Sequence, residues 1–128
     1  MSKGSAPEVV GRSQSSSSVI YHNPRCSKSR DALQLLRDNG FEPQVVEYLK
    51  TPPTRGQLAD MISDAGIEVR AAVRKGEAPY KELGLADADD DRLLDAMADN
   101  PILIERPFVV TAKGTRLARP VEVLHEIL

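Results

Sequence analysis

The chain has 128 residues, 17 basic against 19 acidic side chains, a formal net charge of -2 and one cysteine. That length suits one domain with its own core, the balanced charge leaves no global footprint for nucleic acid, and a single thiol excludes an internal disulfide. No apolar run nears the roughly 20 residues of a membrane-spanning helix, and no signal-peptide core precedes the domain, so the expectation is a cytoplasmic protein without a membrane partner.

Met1 to Ser17 is rich in Ser, Gly and charge and has no sustained periodicity, so residues 1–17 read as a disordered tail, native or added for expression. A single domain is expected over 18–128. Val19-Ile20-Tyr21 predicts a short buried strand. Beyond the loop through Pro24 comes a helix, with Ala32, Leu33, Leu35 and Leu36 at helical spacing and Gly40 placed to end it in a left-handed conformation. Val45 to Leu49 predicts the next strand, stopped by Thr51-Pro52-Pro53, and the intervening helix permits parallel pairing.

Thr54 opens a second helix, with Gln57 in the capping-box position and Leu58, Met61, Ile62 and Ala65 as its apolar stripe before Gly66. A shorter pattern covers Val69 to Val73. Asp89 to Ala98 predicts another helix, acidic in its first turn, with Leu93, Leu94 and Met97 inward and Asn100-Pro101 closing it. Residues 54–99 are therefore read as a helical insert between core segments 18–53 and 100–128. Phe108 to Thr111 and Thr115 to Ala118 flank Ala112-Lys113-Gly114 as a hairpin, and a last helix starts at Pro120. Without the insert, the order is that of an α/β thioredoxin-like fold, a mixed central sheet with flanking helices. No internal repeat is visible, and no apolar seam is left over, which predicts a monomer.

Cys26 lies at the loop-to-helix junction beside Arg25, Lys28 and Arg30, where unpaired backbone N–H groups and positive charge favour a thiolate. A lone cysteine is ordinarily a small buried hydrophobe, but polar, turn-forming neighbours argue for a reactive one here. Cys26-Ser27-Lys28-Ser29 occupies the place of a Cys-x-x-Cys motif, with Ser29 where a resolving cysteine would stand. The chemistry is then monothiol, and the second sulfur comes from a partner. Ser29, one turn on, either hydrogen-bonds the thiolate or is a plain exposed helix residue. A cysteine-phosphatase loop needs a longer spacing than the three residues between Cys26 and Arg30. No cluster has metal-ligand spacing, so no metal is expected.

His22-Asn23-Pro24-Arg25-Cys26-Ser27-Lys28-Ser29-Arg30 resembles the active-site segment of the glutaredoxin-coupled arsenate reductases, the ArsC family. Tyr48 to Pro53, Val69 to Lys75, Pro79 to Leu85, Asn100 to Pro107 and Gly114 to Pro120 resemble further family segments in the same order, so the likeness runs from about Val19 to Leu128. The resemblance implies Cys26 as nucleophile and Arg74, Arg106 and Arg119 as ligands of arsenate, a tetrahedral oxyanion that planar guanidinium groups bind through paired, charge-assisted hydrogen bonds. It also implies that His22 lowers the thiol pKa, although a histidine that only holds the loop fits the same position. Arg106-Pro107 matches a cis-proline facing the cysteine.

The implied reaction is reduction of arsenate to arsenite through a covalent Cys26–arsenate thioester, with glutathione as thiol co-substrate, glutaredoxin as partner and no bound cofactor. Two alternatives accompany it. One is an Spx-type redox regulator binding RNA polymerase, against which Ser29 argues because a self-contained switch needs two cysteines. The other is a general glutathione-dependent thiol reductase with little arsenate activity.

Overall fold

Strands β1 (Val19–His22), β2 (Gln44–Glu47), β3 (Phe108–Thr111) and β4 (Gly114–Leu117) form a mixed sheet in the order β2-β1-β3-β4. The structure, a computed structural model, describes residues 18–128, so the expectation for residues 1–17 lies outside the described residues. Helix α1 (Ser27–Asp38) crosses from β1 to β2, which run parallel with His22 opposite Glu47. β3 runs antiparallel to both β1 and β4. Among the described residues no helix is long and apolar enough to cross a membrane.

Alternation along the strands divides the core between the two faces of the sheet. Ile20 and Val109 point to one side and pack with Ala32, Leu36, Phe41, Leu124 and Ile127, under α1 and the C-terminal segment. Tyr21 and Phe108 point to the other, toward Leu58, Met61, Leu93, Met97 and Leu103 of the helical region. The result is three layers around a four-stranded sheet. Gly40, at φ +86°, ends α1 as expected, and its N–H donates to the Arg37 carbonyl while that of Phe41 reaches Leu36. Those two bonds make a Schellman cap, completed by Phe41 and Leu36 in one apolar cluster.

Helix α2 (Arg55–Asp64) begins with the expected capping box: Gln57 N–H donates to Thr54 Oγ1 and Thr54 N–H to Gln57 Oε1, at 3.1 and 2.9 Å. A 3-10 turn (Val69–Ala72), α3 (Ala78–Glu82), a second 3-10 turn (Leu85–Asp87) and α4 (Asp90–Asp99) follow. Arg70 stitches these short pieces together by donating to the Tyr80 hydroxyl and the carbonyls of Leu85 and Ala88. The region then rejoins the core through an isolated bridge between Val73 and Ile104, with Arg74 N–H donating to Leu103 O and Glu105 N–H to Ala72 O.

Several boundaries differ from the sequence reading by a residue or two, and three of them have a local cause. The strand expected over Val45 to Leu49 stops at Glu47, because the Glu47 carbonyl accepts the N–H groups of both Lys50 and Thr51 and the chain turns through Tyr48. β4 starts at Gly114, not Thr115; φ there is +148°, and a Cβ would stand 3.3 Å from Ile127 Cγ2, so the turn-edge position suits glycine. The last helix is a 3-10 segment (Val121–Glu126), and Pro120, extended at ψ 167°, caps it from outside. Arg106-Pro107 is cis as expected, and Arg119-Pro120 is cis as well.

Candidate active site

Cys26 is the N-cap of α1, with extended backbone at φ -96° and ψ 121° and 9 % exposure. An N-cap side chain faces the first free N–H groups of its helix. Burial pushes the thiol pKa up, but the N–H of Ser29, the adjacent Arg106 guanidinium and the N–H of Lys28 together outweigh it, and the net pKa is lowered. The sequence therefore builds a thiolate site from helix-start geometry and one well-placed cation.

Hydrogen bonds hold the loop ahead of the cysteine. Asn23 Oδ1 accepts from Arg25 N–H, Asn23 O accepts from Cys26 N–H, and Arg30 donates to Pro24 O, each at 3.0 Å. Ser29 is fully buried, so it is not an exposed helix residue. Its hydroxyl accepts from Asn23 N–H at 3.0 Å and lies 2.6 Å from His22 Nδ1. The contact pairs the hydroxyl with the ring nitrogen, and the imidazole tautomer sets which of the two donates. Ser29 serves the thiolate through its backbone, and its side chain serves the loop.

His22 sits on β1 with 6 % exposure, and its pKa is lowered chiefly by burial, opposed by Glu47 and assisted by Arg37 and Arg30. A neutral imidazole bonded to Ser29 is the result. The structure thus places His22 against Ser29, and the groups that favour the thiolate are the Arg106 guanidinium and the backbone N–H groups of Ser29 and Lys28.

The three arginines arrive on three separate segments. Arg74, at the exit of the Val69–Ala72 turn, pairs with Glu77 at 2.7 Å and shares a cavity of 410 Å³ with His22, Asn23, Pro24 and Arg25. Arg106, before the cis-proline, lies against the sulfur. Arg119, after β4, donates to the Arg106 carbonyl at 3.2 Å and flanks Lys28 of the helix start. Among the described residues, the buried side-chain nitrogens and oxygens without a hydrogen-bond partner are Arg106 Nε, Arg106 Nη1 and Glu105 Oε1.

Two neighbours escaped the sequence reading. Tyr48, read as part of a strand, is 2 % exposed and lines the same cavity as Arg74. Burial raises its pKa against the opposing influence of Arg106, Arg74 and Asn23, so it is a neutral phenol beside the cluster. Glu105 stands between Arg74 and Arg119, 3.7 and 3.9 Å from their Nε atoms. An acid immediately before Arg106, an arginine expected to bind the anion, is a signal the sequence carried. Among the described residues no group of His, Cys, Asp and Glu could hold a metal ion. A thiol of lowered pKa beside one guanidinium, with two more arginines flanking its loop and helix start, is equipped to attack an electrophilic oxyanion.

A family profile described as the ArsC family matches residues 21–127. The chain is 56 % identical over 112 residues to a protein named arsenate reductase from Escherichia coli K12, covering 86 % of this chain and 79 % of that one. A relative from the same bacterium, named "Uncharacterized protein YfgD", is 49 % identical over 112 residues, covering 85 % and 94 %. The solved structure titled arsenate reductase from Vibrio cholerae superposes with a TM-score of 0.83 at 49 % identity, covering 89 % of this chain and 99 % of that one.

Proposed function

This chain belongs to the ArsC family, and on that premise we propose that it reduces arsenate to arsenite with Cys26 as nucleophile and Arg74, Arg106 and Arg119 as oxyanion ligands. The observation that carries the reading is the pair of buried, unpartnered N–H donors of Arg106 beside a thiol of lowered pKa. An unpaired buried donor costs about 1–3 kcal/mol, more when charged, and an anion held there removes that cost. Relatives named arsenate reductase supply the substrate.

Reduction of As(V) to As(III) takes two electrons, which two thiols supply by becoming one disulfide. The Cys26 thiolate forms an S–As bond while one arsenate oxygen leaves as water after protonation. Glutathione displaces a second oxygen in the same way. A glutaredoxin thiolate then attacks the glutathione sulfur; that S–As bond breaks, its electron pair stays on arsenic, and a mixed disulfide departs. Water displaces Cys26 from As(III), giving arsenite and the free thiol. Because Cys26 is the only cysteine, at least one oxidised sulfur comes from outside the chain, and in these steps, which release Cys26 as a thiol, both do.

The test follows NADPH oxidation with arsenate, glutathione, glutathione reductase and glutaredoxin. Wild type consumes NADPH in an arsenate-dependent way, and Cys26→Ser does not, with an unchanged unfolding midpoint. Retained turnover in Cys26→Ser, or consumption that ignores arsenate, overturns the proposal; the latter would identify a general glutathione-dependent reductase.

A further inference from the structure

Glu105 is an anomaly in an anion site. Its Oε1 is buried, accepts no hydrogen bond, and lies between Arg74 Nε and Arg119 Nε at distances too long for hydrogen bonds to either. Arg74 flanks the cysteine loop on its Asn23-Pro24-Arg25 side and Arg119 flanks Lys28 at the helix start, so the Glu105 oxygen lies between the arginines that approach the cysteine segment from its two sides. The next residue, Arg106, supplies the two buried donors without partners. All three unpaired buried polar atoms among the described residues thus belong to adjacent residues at one site, two donors and one acceptor.

A fully deprotonated tetrahedral anion would satisfy the donors and turn a lone pair toward the carboxylate. An anion that keeps one O–H would satisfy all three. From this complementarity we propose that Glu105 is a specificity-determining residue, accepting a hydrogen bond from the protonated oxygen of a tetrahedral oxyanion and selecting hydrogen arsenate or hydrogen phosphate over sulfate. The inference rests on the reading of Arg74, Arg106 and Arg119 as an oxyanion site. It explains why a carboxylate is tolerated there: charge alone would favour its absence, whereas discrimination between equally charged anions requires an acceptor.

The experiment reads anion binding directly, without turnover. Cys26 is the only thiol, so its alkylation by iodoacetamide reports occupancy of the site. Inorganic phosphate and sulfate are compared at mildly alkaline pH and matched ionic strength, where both are chiefly dianions and phosphate alone carries an O–H. Phosphate should protect Cys26 at a concentration about tenfold or more below that of sulfate. In Glu105→Gln the amide offers a donor as well as an acceptor, and the gap should narrow because sulfate binds better.

Equal protection by the two anions in wild type overturns the inference, as does failure of phosphate to protect. A variant that keeps the full gap, or that weakens both anions alike, also overturns it, the second result marking Glu105 as only a spacer of Arg74 and Arg119. A protein that prefers phosphate yet shows no arsenate-dependent NADPH oxidation would keep this inference and lose the proposed reduction, so the two failures are distinct.

Discussion

Ser29→Ala separates the two roles a serine at this position could have. The hydroxyl joins His22 Nδ1 at 2.6 Å to Asn23 N–H at 3.0 Å, and the truncation leaves both without that partner. An unpaired buried polar group costs about 1–3 kcal/mol; the Asn23 bond is only partly buried, so the low end applies to it, and the two losses together come to about 2–3 kcal/mol. For a domain of this size each kcal/mol moves the unfolding midpoint by about 4 °C, which predicts a fall of about 8–12 °C in a thermal melt. The thiol should behave differently. The Ser29 group that favours the thiolate is its backbone N–H, which alanine retains, so the pH midpoint of Cys26 alkylation should stay where it is. A raised thiol pKa with an unchanged melt would refute the reasoning, because it would put the hydroxyl on the sulfur and not on the loop.

Arg106→Met removes the one guanidinium against the sulfur while keeping most of the side-chain volume, so the thiolate loses its strongest side-chain support and the thiol pKa rises; iodoacetamide rates measured against pH should show the midpoint moving up, and no movement contradicts the assignment. His22 carries a pH signature of opposite sense. Burial lowers its folded pKa below the ordinary 6.5, so its contribution is intact above that value and stability is lost as pH falls from there toward the folded value, while the unfolded chain takes up the proton first. Urea midpoints at neutral and mildly acid pH should differ less in His22→Gln than in wild type, and an equal acid loss in both would assign the sensitivity elsewhere.

Elements that rest on local rules were legible in the sequence. The capping box at Thr54 and Gln57, the glycine stop at Gly40 and the parallel pairing across α1 each follow from residues a few positions apart, and each stands as read. Misplaced boundaries trace to contacts that no short window contains. Val45 to Leu49 has strand composition throughout, yet Tyr48 is drawn out of line where the Glu47 carbonyl turns to Lys50 and Thr51, and its ring is buried against the helical region. Ser29 shows the same limit at the site: spacing put it one turn from Cys26, but only the fold reveals that His22 and Asn23 claim its hydroxyl.

The arginines illustrate why a site can be read as a set before it can be read as a geometry. None of the three lies inside a regular helix or strand: Arg74 leaves a 3-10 turn, Arg106 precedes β3 and Arg119 follows β4. Their relative placement is instead fixed by non-repetitive backbone contacts. Arg74 N–H donates to Leu103 O, the Val73–Ile104 bridge draws the end of the 3-10 turn beside Glu105, and Arg119 donates to the Arg106 carbonyl. The helical region between β2 and β3 is therefore part of the framework of the proposed site and not an ornament on the sheet. It delivers Arg74 across the cysteine loop, and the same pairing positions Glu105 where it can meet the arginines on both sides.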